Sequence, residues 1–177
     1  MKTIRSNDIT QAALIGAMYF VLTHLQNLLL PGSATWAIQC RLSEALCILS
    51  FFTPAAIPGL TIGCLLFNLT YSGALPLDFA VGSLATLLAT CLMRLSRGLT
   101  VKGLPLPGLL MPALFNALLV GWELTVYIGD TGFTAQAFAL NAVYVAIGEA
   151  LVLLIPGALL YRTMKQRHLD VLLFGHG

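Results

Sequence analysis

Charged side chains are scarce in this sequence: 9% of its 177 residues carry a charge, against about 25% in a soluble globular domain. So little polar surface excludes a chain bathed in water on all sides, because it cannot cover the 58% of residues that are hydrophobic. Whole blocks lack charge altogether. Residues 9–40 and 45–77 contain no Asp, Glu, Lys or Arg, and a helix needs about 20 apolar residues to cross the hydrocarbon core. The chain therefore reads as an all-α membrane protein, a single transmembrane domain over residues 1–177.

Other absences exclude whole function classes. The four cysteines, Cys40, Cys47, Cys64 and Cys91, stand singly with no C-x-x-C spacing, which gives no disulfide framework or metal motif and reads as small hydrophobes inside helices. His24, His168 and His176 are isolated and have no metal-ligand spacing. No phosphate-binding glycine loop and no nucleophile-and-base arrangement occur, so neither an enzyme nor a cofactor is expected. A net charge of +2 carries no message about nucleic acid. Lys2 and Arg5 before an apolar run resemble a secretory signal, but that run is too long and further apolar segments follow. It reads as a retained first span.

What is present is punctuation. Pro31-Gly32 ends a first span over residues 9–30. Pro54, Pro58 and Gly59 break the next charge-free block, because proline removes a backbone donor and clashes with the preceding turn. This predicts a short second helix over 39–52 and a third over 55–70. Tyr71–Pro76 is turn-rich, and a fourth helix runs over 78–95 with Asp78 placed to cap it. A basic loop over 94–107, a fifth helix over 109–128, a Gly129-Asp130-Thr131-Gly132 turn and a long sixth helix over 134–161 complete six spans. With both termini in the cytoplasm, Lys2, Arg5, Arg94, Arg97, Lys102, Arg162, Lys165 and Arg167 lie inside. That is eight of nine basic residues, as the positive-inside rule requires. Arg41 is the exception.

Ionisable groups in membrane segments are costly unless paired or facing a wet cavity, so each marks a candidate site. Arg41 and Glu44, three apart, share a helical face as an ion pair or as part of a polar cluster with Gln39. Glu123 follows Trp122, with Asn116 on the same face; the pair is either a flat ligand's carboxylate and apolar wall or an interfacial Trp beside a solvated Glu. Asn141, Val145 and Glu149 share a face of the sixth helix, with Tyr144 alongside, and Glu149 has Arg41 as one possible partner. Asn68 is a cap or a ligand donor, Asp78 a cap or a site residue, and Asp130 a turn residue. On the first helix, Ala13 and Ala17, and likewise Ala12 and Gly16, have the small-xxx-small spacing that permits close helix approach, inside the bundle or to a partner.

The stretches Gln39-x-Arg41-x-Ser43-Glu44-Ala45-Leu46, Phe52-x-Pro54-Ala55-Ala56-Ile57-Pro58-Gly59-Leu60-x-Ile62-Gly63-Cys64, Asp78-x-x-x-Gly82-Ser83-Leu84-Ala85-Thr86-Leu87-Leu88-Ala89 and Gly148-Glu149 resemble the QueT family. These are substrate-binding S-components of energy-coupling-factor (ECF) transporters, and the resemblance covers essentially the whole chain. It implies a six-helix bundle in the cell membrane that captures queuosine precursors, namely queuine and related 7-deazaguanine bases. It also implies a partner module: a transmembrane coupling protein (T-component) and two ABC-type ATPases, met through an Ala-x-x-x-Ala face that matches Ala13 and Ala17. Trp36, in the loop after the first helix, takes the place of a lid residue. The substrate-binding set is then Trp36, Gln39, Arg41, Glu44, Asn68, Asp78, Asn116, Trp122, Glu123, Asn141, Tyr144 and Glu149. Alternatives are an S-component for another small vitamin or base, and an autonomous proton-coupled secondary transporter, for which no inverted repeat is visible.

Overall fold

In the computed structural model, residues 6–33, 40–128 and 133–175 are described. They form helices α1 (Ser6–Leu29), η1 (a 3₁₀ helix, Leu42–Phe51), α2 (Ala56–Thr70), α3 (Asp78–Leu95), α4 (Leu106–Leu109), α5 (Met111–Ile128), α6 (Ala135–Val152), η2 (a π turn, Leu153–Gly157), α7 (Ala158–Gln166) and α8 (Leu169–Phe174). Extended pairing among the described residues is limited to one bridge between Val101 and Leu104. Among the described residues, four segments are long and apolar enough to cross a membrane: Asn7–Leu29, Asp78–Leu95, Leu106–Tyr127 and Ala135–Gln166. Leu42–Phe51 and Ala56–Thr70 are shorter apolar helices. The chain is thus an all-helical, multi-pass membrane protein.

The departures from expectation have local causes. The second helix is ten residues of 3₁₀ rather than fourteen of α, and nine of its residues, Ser43 to Phe51, are buried. It is a central core element packed among α1, α2, α3 and η2, and its tighter coil stretches ten residues over about 20 Å. The sixth helix runs beyond the expected Tyr161 to Gln166, interrupted by the π turn around Pro156. Proline has no N–H to give the preceding turn, and the helix widens there instead of breaking. Asp78 does not cap α3: the N-cap is Leu77, and Asp78 Oδ2 accepts from the Leu75 N–H at 2.6 Å, behind the helix. The basic loop contains a tight turn at Lys102-Gly103, both with positive φ.

Packing divides the bundle into two ends. One is apolar and aromatic: Phe51 and Phe52 meet the Tyr161 ring at 5.7 and 5.4 Å, with Met93, Leu109, Leu153 and Met164 around them. Arg94 Nη1 closes this end by donating to the Phe51 carbonyl at 2.9 Å. Toward the other end the interior turns polar. α1 and α2 touch backbone to backbone: a Cβ added at Gly63 would lie 2.6 Å from the Gly16 carbonyl oxygen, and one at Gly59 would lie 2.5 Å from that of Ala12. Ala12 and Gly16 are therefore internal packing. Ala13 and Ala17 are on the exposed side of the same helix.

Candidate functional site

The polar half is built from three walls. Tyr19, Thr23 and Gln26 are buried along α1; at spacing i, i+4, i+7 they share one face of it. The Tyr19 hydroxyl donates to Glu44 Oε1 at 2.5 Å, the length of a charge-assisted bond. Cys47 Sγ lies 3.1 Å from Glu44 Oε2, so both carboxylate oxygens of Glu44 are engaged. Arg41 does not pair with Glu44 directly. Tyr19 stands between them, with Arg41 Nη1 donating to its hydroxyl at 3.5 Å, and the guanidinium lies 5.4 Å from the centre of the Phe67 ring. Gln26 fixes the entry to η1: its Nε2 donates to the Cys40 carbonyl at 2.7 Å, and its Oε1 accepts the Leu42 N–H at 2.8 Å.

The second wall joins α2 to α3. Asn68 Nδ2 donates to the Asp78 carbonyl at 2.9 Å, and its Oδ1 is buried without a hydrogen-bond partner among the described residues. Gly82 makes room for this amide, since a Cβ there would approach Asn68 Nδ2 to 2.8 Å. The third wall is α5 with α6. Asn141 Nδ2 donates to Thr125 Oγ1 at 3.0 Å and ties the two helices together. Glu123 and Glu149 are fully buried, and none of their four carboxyl oxygens has a hydrogen-bond partner among the described residues. Asp78 is the neighbouring carboxyl of Glu123, Asn116 stands beside Glu149, and both glutamates feel Arg41.

Of the twelve expected site residues, Arg41, Glu44, Asn68, Asp78, Asn116, Glu123 and Glu149 are thus brought into one buried cluster. Asn141 sits half-buried at its edge. Trp122 and Tyr144 lie on the outer surface, 42% and 36% exposed, because neighbouring helical positions point about 100° apart and Glu123 takes the inward one. Glu149 makes no bond to Arg41. Trp36, Gln39 and Asp130 lie outside the described residues. The residues that sequence reasoning missed are Tyr19, Thr23, Gln26 and Cys47. The signal for the first three was present, as a polar stripe opposite Ala13 and Ala17 on an apolar helix.

Four buried carboxyls and one buried guanidinium lie in this interior, and two of the carboxyls have no hydrogen-bond partner among the described residues. Such groups are expensive in an apolar bundle unless something polar meets them. Among the described residues no group of three His, Cys, Asp or Glu side chains could hold a metal ion. The arrangement suits a small molecule with N–H donors or positive charge, which defines a helical membrane protein with an acidic interior site. A family model described as "QueT transporter" matches residues 9–166; the chain belongs to the QueT transporter family. It is also similar to a protein of Lactococcus lactis subsp. cremoris (strain MG1363) described as "Queuosine precursor transporter QueT", 35% identical over 88 residues. That match spans 49% of this chain and 49% of the relative. No solved structure matches the chain.

Proposed function

We propose that this chain is the membrane-embedded substrate-capture subunit, the S-component, of an ECF-type importer for queuosine precursors. The observation that carries the reading is the family match over residues 9–166, joined to an interior whose Glu123 and Glu149 oxygens have no hydrogen-bond partner among the described residues. The 7-deazaguanine base presents N–H donors along its pairing edge, and queuine and aminomethyl precursors add a basic nitrogen. Carboxylates accept both as charge-assisted hydrogen bonds. Glu44 is a fixed part of the frame, since Tyr19 and Cys47 occupy its oxygens. Glu123 and Glu149 are the ligand-directed pair. Transport is driven by a coupling protein and two ABC-type ATPases, which this chain meets through α1.

Calorimetric titration of the purified protein with queuine and 7-deazaguanine bases, against vitamins as competitors, tests the substrate. A charge-assisted hydrogen bond is worth about 1.5–3 kcal/mol, so Glu123→Gln and Glu149→Gln should each weaken binding by roughly tenfold or more. Glu44→Gln should instead lower the thermal midpoint. Unchanged affinity in both ligand-directed variants removes this pocket. Tight binding of a vitamin but not of a deazapurine removes the substrate assignment.

The proposal includes six spans with both ends in the cytoplasm. Single cysteines at Arg97 and Arg167 should then be labelled by an impermeant maleimide only from the cytoplasmic side, and one at Gln136 only from outside. The natural Cys47 and Cys64 are buried and Cys40 and Cys91 half-buried, so the background requires replacing only the latter two. Labelling of Arg97→Cys from outside inverts the topology and moves the pocket to the wrong side for an importer.

A further inference from the structure

At the aromatic end of the bundle, away from the carboxyl cluster, a cleft of about 460 Å³ opens between the 101–104 turn and α7, lined by Lys102, Gly103, Tyr161, Arg162, Lys165 and Gln166. We propose that this cleft binds the phosphate of an anionic phospholipid headgroup.

Three cations face one space there. Lys102 is held in it by an unfavourable backbone: it has φ of 51° and Gly103 has φ of 77°, while Val101 and Leu104 exchange hydrogen bonds of 2.8 and 3.1 Å across the turn. That is the geometry of a type I′ turn, whose first central position favours Asn, Asp or Gly rather than Lys. A side chain kept at a strained position at the mouth of a cleft points to use. Tyr161 lines the cleft with its ring packed on Phe51 and Phe52, and a phenol hydroxyl can donate to a phosphate oxygen. Asp170, a neighbouring carboxylate, is engaged by Lys165 Nζ at 2.8 Å; this bond holds the Asp170 carboxyl below the usual carboxylate range. Among the described residues Arg162 and Lys102 carry no such partner.

The rim decides between a lipid and a free phosphate. Leu99, Val101, Leu159, Leu172 and Leu173 are all exposed, beside and on the turn and on α7, which line the cleft, and on α8, which the Lys165–Asp170 bond ties to α7. Basic side chains at an apolar rim match a phosphodiester whose acyl chains run off along the bundle. A soluble phosphate would gain nothing from those leucines.

Fluorescent phosphatidylglycerol titrated into the detergent-purified full chain tests this, with the phosphatidylcholine analogue as the headgroup control. Each cation removed should weaken phosphatidylglycerol binding about fivefold, so Lys102→Gly with Arg162→Gln should lose roughly 25-fold; phosphatidylcholine, whose trimethylammonium offsets its phosphate beside these cations, should bind the parent more weakly and lose far less. Lys102→Gly relieves the turn, so this loss should come without a lower thermal midpoint. Arg97→Gln removes a charge at the same end but outside the cleft, and should change little. The proposal is overturned if the double variant binds phosphatidylglycerol like the parent, or if Arg97→Gln weakens binding as much. It is equally overturned if glycerol phosphate at the same concentration displaces the lipid as well as unlabelled phosphatidylglycerol does.

Discussion

Gly63→Ala and Gly59→Ala are expected to destabilise this protein, although alanine normally stabilises a helix relative to glycine by about 0.5–1 kcal/mol. The sign reverses because α1 and α2 meet through their main chains. The new Cβ would lie 2.6 Å from the Gly16 carbonyl oxygen in the first case and 2.5 Å from the Ala12 carbonyl oxygen in the second. Neither obstacle is a side chain that can rotate away, so the helices must separate. Between lipid-exposed helices, close packing is itself a main source of association, and separation loses it along the whole contact. Overpacking of this kind costs about 1–3 kcal/mol, and thermal unfolding in detergent should show a midpoint lower by roughly 5–10 °C. Gly63→Leu should prevent a folded protein from accumulating. Gly98→Ala is the control: nothing lies within 4 Å of its added Cβ, so the midpoint should stay or rise slightly. Equal midpoints for Gly63→Ala and Gly98→Ala would show that the two helices are not in backbone contact.

This contact also shows where the sequence was legible and where it was not. Charge-free blocks, proline and glycine mark the helices, and α3 falls on Asp78–Leu95 as expected. Those signals are local: they depend on what a residue does to its own backbone. The 3₁₀ coil of η1 is not local, because its ten residues are apolar enough for an α-helix and the tighter winding accompanies burial among neighbouring helices. The π turn has a visible cause in Pro156, yet proline is equally consistent with a break. Ala12–Gly16 and Ala13–Ala17 have the same spacing, and only the position of α2 tells the packed pair from the exposed one.

The candidate site divides the same way. A buried carboxylate in an apolar segment announces itself by composition, which is how Glu44, Glu123 and Glu149 were found. Spacing puts Asn116 and Glu123 on one face of α5, where both are buried, but the carboxyl beside Asn116 is Glu149 of α6. What spacing cannot supply is the partner on another helix. Arg41 and Glu44 satisfy the i, i+3 rule for an ion pair, and yet the Tyr19 hydroxyl lies between them at 3.5 and 2.5 Å. Tyr19 comes from a helix twenty-two residues upstream of Arg41, and a tyrosine in an apolar run gives no sign of which carboxylate it will meet. Trp122 and Tyr144 are the converse case: Trp122 adjoins Glu123 and Tyr144 adjoins the Asn141–Val145–Glu149 face, but the helical turn carries both outward.

Ala13→Trp and Ala17→Trp are expected to abolish uptake while leaving ligand affinity nearly unchanged. Both positions lie on the exposed face of α1, away from the α2 contact made by Ala12 and Gly16 and from the Tyr19–Glu44 bond. Both positions are exposed among the described residues, so the purified protein should fold and bind its ligand within about twofold of the parent, as for a surface substitution. In the proposed importer the same face receives the coupling protein, and small residues let two helices approach closely in lipid. An indole at the contact holds them apart, and assembly with the ATPase module should fall below detection. Ala12→Trp gives the opposite pattern, since it strikes the internal α1–α2 contact and should lose fold, binding and uptake together. Two measurements on each variant separate the cases: copurification with the coupling protein and ATPases, and calorimetric titration with queuine. An autonomous proton-coupled transporter has no reason to show binding without transport at Ala13 and Ala17. If those variants still transport, the S-component reading fails even where the titration continues to support the pocket; if they lose binding too, the face packs inside the protein.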